Sequence, residues 1–186
     1  MSTLNGFGSL PSPALQHLTL PPQFERAALP ALLERCPALK SLNIIGLSED
    51  ADIVTIPPHL APRLSKLTAP AGIVVDLACR RPVCEVGVVH QQQFPLAHEA
   101  MRRVLLQLSR ASSSAVRCLA LPESQSITES LRTVVAIFPG LSKLTLDVPG
   151  SLDGVLEDAL PRAAISDSEE GGLPVFLILI GIPFDD

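Results

Sequence analysis

The sequence predicts an α/β solenoid, in which short parallel strands alternate with helices along one repeating coil. Three observations predict it: an apolar frame, L-x-x-L-x-L, recurs along the chain, the longer segments between frames have helical periodicity, and 18 prolines in 186 residues divide the elements. Because aromatic residues make up only 3% of a chain that is 47% apolar, the predicted core is aliphatic.

The frame marks the predicted strands. It begins, in order, at Leu15, Leu39, Leu64, Val83, Val116, Leu141 and Val175. Four of the spacings lie at or close to the period of about 20 to 29 residues that leucine-rich repeats have, and the two longer ones leave room for longer helices or loops. LSKLTA and LSKLTL, at 64–69 and 141–146, are nearly identical. One such frame could belong to any buried strand, but this recurrence favours a repeat.

Helical periodicity fills the longer intervals between frames. Residues 127–138 and 96–109 each place apolar residues on one helix face, at Ile127, Leu131, Val134 and Phe138, and at Ala97, Met101, Val104 and Leu108. Ser126 and Glu129 fit a capping box at the start of the first of these helices. Shorter helices are predicted within 24–35, where Pro30 marks the first turn after an irregular lead-in, and within 71–82 and 151–162.

The alternation of strands and helices implies one parallel sheet, because each strand must return through a crossover before the next can pair with it. The predicted fold is a leucine-rich-repeat solenoid with about seven parallel strands on the concave face and helices on the convex side. Residues 1–13 are predicted to be an N-terminal extension and residues 14–186 a single leucine-rich-repeat domain.

Mostly small and polar residues occupy the third and fifth positions of the frames, which face outwards when the apolar positions face the helices. The candidate partner-binding residues on this concave face are His17, Thr19, Ser41, Asn43, Lys66, Thr68, Glu85, Lys143 and Thr145. The last frame, read from Val175, places Leu177 and Leu179 outwards. This strand would then be apolar on both faces and would need a cover.

Charge and hydropathy disfavour nucleic-acid and membrane partners. A net charge of −5 and the absence of Tyr and Trp do not suit nucleic acid, which needs clustered cations and, for single strands, stacking aromatics. The apolar run at 173–184 is shorter than the ~20 residues that cross a bilayer, so it is predicted to be a buried strand. No signal peptide is evident, and the chain is predicted to be cytoplasmic or nuclear.

No pattern indicates catalysis, and no metal, cofactor or small-molecule substrate is expected. The sequence has no phosphate loop, dinucleotide fingerprint or nucleophile elbow, and its four cysteines lack the spacing of a zinc site. His90 and His98 would form a metal pair if the loop between them folded back, but ordinary loop polarity is the favoured reading. Cys36, which precedes Pro37 at the end of a predicted helix, is interpreted as a reduced packing thiol rather than a nucleophile.

The stretches ERCPALKSLNI and IFPGLSKLTL, together with the LxxLxL strands, resemble the leucine-rich-repeat region of F-box-like proteins of mushroom-forming fungi. The segment LSKLTAPAGIVVDLACRRPVCEVGV is also similar to one seen in that family, and the resemblance covers roughly residues 14 to 150. It implies the substrate-recognition part of a ubiquitin-ligase receptor. The F-box itself is not recognised, because Leu20, in the nearest match to its opening motif, already belongs to a predicted strand.

Three functions are compatible with these patterns. The first is a non-catalytic protein-binding domain whose concave face holds a partner protein. The second is a truncated or degenerate repeat fragment without an independent function. The third, and least favoured, is an α/β enzyme with a site at the carboxyl ends of the strands, which would require two or more of His17, His59, His90, Glu123 and Asp147 to meet in one cleft.

Overall fold

The computed structural model describes residues 14–22, 24–46, 56–89, 98–122, 127–149 and 176–182. Seven strands pair in chain order to form one sheet in which every pairing is parallel. The strands are β1 (His17–Leu20), β2 (Ser41–Ile44), β3 (Lys66–Pro70), β4 (Glu85–Val89), β5 (Cys118–Leu121), β6 (Lys143–Pro149) and β7 (Phe176–Ile182). The α/β class and the parallel sheet are therefore confirmed.

Helices alternate with the strands. They are α1 (Leu29–Glu34), α2 (Ala71–Ala78), α3 (His98–Ala111) and α4 (Ile127–Ile137). Pro30 lies in the first turn of α1, and a single 3₁₀ turn at Arg26–Ala28 forms the predicted irregular lead-in. Neighbouring helices also pack on one another, α2 on α3 and α3 on α4. The predicted helix at 151–162, the extension at 1–13 and Ser126 of the capping box lie outside the described residues.

The core lies between the sheet and the helices, and the frame residues supply its sheet side. In β2 to β6 every inward frame position is buried: Leu39, Leu42, Ile44, Leu64, Leu67, Ala69, Val83, Val86, Val88, Val116, Leu119, Leu121, Leu141, Leu144 and Leu146. Leu15 and Leu18 are only half-buried, because β1 is the first strand and has a neighbour on one side only within the described chain. Each fully buried leucine contributes about 1.5–3 kcal/mol. With Leu20 of β1, the frames supply 16 of the 32 buried apolar residues in the described part of the chain.

Helix α3 differs slightly from its predicted face. Met101 and Leu108 are buried as expected, and Val104 is half-buried. The third fully buried residue is Leu105. The helix is thus rotated towards the position that follows Val104, which places a larger side chain in the core.

The starts of the strands are joined by a repeated backbone pattern. The carbonyl oxygen of Gln16 accepts hydrogen bonds from the N–H groups of Lys40 and Ser41, at 2.8 and 2.9 Å. One carbonyl in each following turn does the same for the next turn; these are the carbonyls of Lys40, Ser65, Cys84 and Arg117. Since the residue that supplies the carbonyl always occupies the second frame position, equivalent residues of successive turns lie in straight rows across the sheet.

A buried arginine ties one turn to the next behind the sheet. The Arg81 side chain has no solvent exposure, and its guanidinium donates to four carbonyl oxygens at 2.7–3.1 Å: those of Pro57, Leu60, Asp76 and Leu77. Asp76 and Leu77 lie in the last turn of α2, where unpaired carbonyls and the helix dipole favour a cation. Burial lowers the pKa of Arg81, and nearby Cys79 opposes that shift. Arginine nevertheless remains protonated in proteins, so the site holds a full positive charge.

The predicted register of the last strand is wrong by one residue. Leu177 pairs with Leu144 and Leu179 with Leu146, so both belong to inward rows of the sheet, whereas Phe176 and Ile178 pair with Lys143 and Thr145. The frame therefore begins at Pro174 rather than at Val175. A shift of one residue exchanges the two faces of a strand, and a continuous apolar run contains no alternation that would reveal it.

Within the described part of the chain, no helix combines the length and the apolar character needed to span a membrane.

Candidate binding surface

The nine predicted partner-binding residues all lie on one face of the sheet, in two rows. The first row runs through His17, Ser41, Lys66, Glu85, Cys118 and Lys143, and the second through Thr19, Asn43, Thr68, Gly87, Ala120 and Thr145. We call these twelve residues the open face. His17, Thr19, Lys66 and Lys143 are exposed, and most of the others are half-buried. The side chains are small or polar, as expected for a sheet face that contacts water.

A depression of about 360 Å³ lies in the open face over β3 to β6. Its floor is formed by Gly87 and Ala120, which carry little or no side chain. Cys118, which is closer to the start of its strand, also lines the depression. Lys66 and Thr68 border it on one side, and the equivalent pair on β6 borders it on the other. The volume is at the lower end of the range of ligand pockets.

Glycine at position 87 is required by the side chain of Thr68. A Cβ atom at Gly87 would lie 2.9 Å from the Thr68 Oγ1 and 3.1 Å from its Cγ2. Thr68 therefore leans over the neighbouring strand, and the absence of a Cβ keeps the floor of the depression low. Gly87 is itself buried.

The open face carries one ion pair. The Lys66 Nζ lies 3.1 Å from the Glu85 Oε2, and the two side chains are 59% and 45% exposed. Such an exposed pair contributes little to stability, because water and salt screen it. Among the described residues, no carboxylate lies within ion-pair distance of Lys143 at the edge of the depression on β6.

A second groove, of about 660 Å³, lies between α2 and α3 on the helical side. Its walls include Ala71, Gly72, Val75 and Val104, with Asp76 and Arg110 at its edges. Asp76 is already paired with Arg26, at 3.3 Å. The groove is broad and mainly apolar, and it results from small residues on two helices that pack side by side.

The cysteines differ in exposure, and none of the four forms a disulfide. Cys36 is buried directly after α1, and burial raises the pKa of its thiol. A thiol held in its protonated form is a poor nucleophile. This agrees with the interpretation of Cys36 as a packing residue.

The residues that an enzymatic site would need are not brought together where the structure describes them. His17 is exposed on β1, and His59 is exposed in the turn before Leu60. His90, Glu123 and the side chains of His98 and Asp147 lie outside the described part, so the predicted metal pair does too.

Sequence reasoning found the open face but missed its depression and the arginine behind it. Gly87 is visible in the frame VCEVGV, yet its role depends on Thr68, a neighbour that only the strand register supplies. Arg81 could be suspected only as a cation that follows a helix end.

No family model, curated protein or solved structure matches this chain. Its function must therefore be inferred from the open face.

Proposed function

We propose that the chain is a non-catalytic protein-binding domain, a leucine-rich-repeat solenoid whose concave surface is the open face. The observation that carries the proposal is the contrast between the two sides of the sheet. One side is filled by frame leucines and valines, whereas the other presents two straight rows of small and polar residues with a depression at their centre.

The solenoid is supported by strand order and by helix packing. In a sheet whose strands follow chain order, right-handed crossovers place every helix on the same side. The described helices do pack against one another in sequence, α2 on α3 and α3 on α4, which a single helical layer requires. Among the described residues, one sheet face then has no covering layer, and an extended surface of this kind is what repeat proteins use for binding.

The resemblance to F-box-like proteins supports a partner protein that is a target of ubiquitin transfer. In that setting the domain would hold a target protein for ubiquitin transfer and would perform no chemistry itself. The face fits this role because it is wide, shallow and polar, which suits a protein surface better than a small molecule.

Site-specific photo-crosslinking tests the proposal. A photoreactive phenylalanine analogue is placed at Thr68 or Thr145 on the open face and, as the matched control, at Val135, which is 58% exposed on α4. After irradiation in cell extract, we expect both open-face positions to crosslink to the same protein, identified by mass spectrometry, and the α4 position to leave it unlabelled.

The opposite pattern would count against the proposal. If the folded variants crosslink only from Val135, or from neither open-face position, the open face is not the binding surface. Circular dichroism of each variant shows whether the fold is retained, so that a negative result is not caused by unfolding.

A further inference from the structure

The strand starts at one edge of the open face carry an excess of positive charge. Four cations occupy the second or third frame positions: Lys40 before β2, Lys66 in β3, Arg117 before β5 and Lys143 in β6. All four are exposed. At these frame positions in β1 to β6 the only carboxylate is Glu85, although the whole chain has a net charge of −5. We call these four cations the basic rim.

The repeat keeps the basic rim in line. The carbonyl of Lys40 accepts from the N–H of Lys66, and the carbonyl of Arg117 accepts from that of Lys143, at 2.9 and 3.0 Å. Lys66 and Lys143 belong to the row of third frame positions, and Lys40 and Arg117 to the row of second frame positions. These two rows therefore run side by side along the same edge of the sheet. Strands lie about 4.8 Å apart, so the four steps from β2 to β6 span roughly 19 Å.

Within the described part of the chain, ion pairs neutralise little of the positive charge of the basic rim. Glu85 contacts Lys66, at 3.1 Å. Among the described residues, no carboxylate lies within ion-pair distance of Lys40, Arg117 or Lys143. Arg117, before β5, and Lys143, in β6, lie close together along this edge, and Lys143 borders the depression on the side away from Glu85.

We propose that the basic rim binds an acidic, extended segment of the partner protein. This inference rests on the proposed function and specifies the chemistry of its partner. About six residues of extended chain, at roughly 3.3 Å each, match the span of the rim. Carboxylates of the segment contact Arg117 and Lys143, and a small side chain enters the depression over Gly87 and Ala120. Complementary charge of this kind selects the partner and sets its register on the surface.

Nucleic acid fits the same surface less well. Single-stranded nucleic acid is held by stacking on aromatic side chains as well as by cations. The sequence has no Tyr or Trp, and none of the twelve residues of the open face is a phenylalanine, although Phe176 pairs with Lys143 on the next strand. The rest of the acidic chain would also repel a polyanion that extended beyond the rim.

The test is an NMR titration of the ¹⁵N-labelled chain with a hexaglutamate peptide and, separately, with a hexathymidylate oligonucleotide. NMR is suitable because individual exposed ion pairs are weak. We expect the peptide to shift the amide signals of the rim residues, and to bind less tightly when the salt concentration rises from 50 to 200 mM.

Charge reversal locates the binding. The double variant Arg117→Glu/Lys143→Glu should weaken peptide binding about tenfold or more, since it replaces two attractions by two repulsions. The control, Arg103→Glu/Arg132→Glu, changes the net charge equally but on exposed positions of α3 and α4, and should bind as the original chain does. Glu85→Gln should tighten binding, because it frees Lys66.

Three outcomes would overturn the inference: no shifts at the rim with a folded chain, equal losses in both double variants, or tighter binding of the oligonucleotide than of the peptide. Failure here can be separated from failure of the proposed function. Crosslinks from Thr68 and Thr145 that persist while hexaglutamate does not bind would keep a protein partner but remove its acidic character.

Discussion

Arg81 illustrates how one side chain can organise a repeat boundary without an acidic partner. Burying a charge is costly, and an ion pair is the usual compensation. Here carbonyl oxygens from two separate segments surround the guanidinium, four of them at 2.7–3.1 Å and that of Cys79 at 3.5 Å. Two of them belong to the last turn of α2, which would otherwise end against the core with unpaired acceptors.

Replacing Arg81 by methionine should therefore destabilise the chain strongly. The methionine fills a similar volume but leaves buried carbonyls without donors, each at about 1–3 kcal/mol, so we expect the free energy of unfolding to fall by about 3–5 kcal/mol. Arg81→Lys keeps the positive charge but has fewer hydrogen-bond donors, so its free energy of unfolding should lie between those of the original chain and of Arg81→Met. Urea denaturation measures both.

The adjacent residue supplies the control for this substitution. Arg80 is exposed, so Arg80→Met should change the free energy of unfolding by less than about 0.5 kcal/mol. A loss below about 1 kcal/mol for Arg81→Met would show that the carbonyls find water or other donors.

The stability cost of a substitution at Gly87 should depend on the side chain of Thr68. Gly87→Ala should cost about 1–2 kcal/mol, because its Cβ would meet the Thr68 hydroxyl at 2.9 Å and the half-buried threonine must move. In a Thr68→Ala background the same change should cost clearly less. A double-mutant cycle by urea denaturation gives this coupling. Additive effects would mean that Thr68 rotates away freely.

The pKa of Cys36 predicts a loss of stability at alkaline pH. Burial raises this pKa above its value of about 9 in the unfolded chain, so above pH 9 the folded state holds a proton that the unfolded state has released. Stability is full below that pH and falls as the pH rises towards the folded pKa. We expect the free energy of unfolding to decline less between pH 8 and 10.5 in Cys36→Ala than in the original chain.

Cys118→Ala is the matched control for this pH dependence, because Cys118 is half-buried on the open face. It should keep the alkaline decline of the original chain. The prediction is wrong if Cys36→Ala and Cys118→Ala show the same decline.

At the scale of elements, the strands of the first six turns were predictable because their frames alternate. Alternation with period two decides which residues face the helices, and the nine residues assigned to the open face follow from it directly. The last strand was misassigned by one residue because FLILIGI is apolar at every position, so its two faces are indistinguishable in the sequence. Only pairing with β6 fixes its register.

Features that depend on two turns at once could not be read from the frames. Lys40 and Arg117 occupy the second frame position, which the alternation does not assign to either face. Their alignment with Lys66 and Lys143 follows from hydrogen bonds between turns. The depression likewise requires that Gly87 and Ala120 be neighbours, although they are far apart in the sequence.

At the scale of the whole molecule, each described strand pairs only with its neighbours in chain order, although the Arg26–Asp76 ion pair joins two turns that are not adjacent. If the fold is the proposed solenoid, its stability is close to a sum of intrinsic and nearest-neighbour terms, and a local defect spreads only through the interfaces it touches. A degenerate repeat fragment, the alternative to the proposed domain, should differ in how it unfolds and whether it aggregates. A fragment without a consistent core would aggregate or lose its structure gradually, whereas the proposed solenoid should remain monomeric and unfold in a defined sequence of turns.

Leu119→Ala tests this view in the interior of the sheet. Leu119 is 2% exposed in β5, and its truncation should cost about 2–5 kcal/mol at that site. Native-state hydrogen exchange should then show lost protection in β4 to β6, α3 and α4, while the amides of β1 and β2 keep most of theirs. Leu18→Ala, at a half-buried position of β1, should leave β5 and β6 protected. An equal loss of protection at every amide in Leu119→Ala would instead show that the chain unfolds as one cooperative unit, and that the interfaces between turns are stronger than the turns themselves.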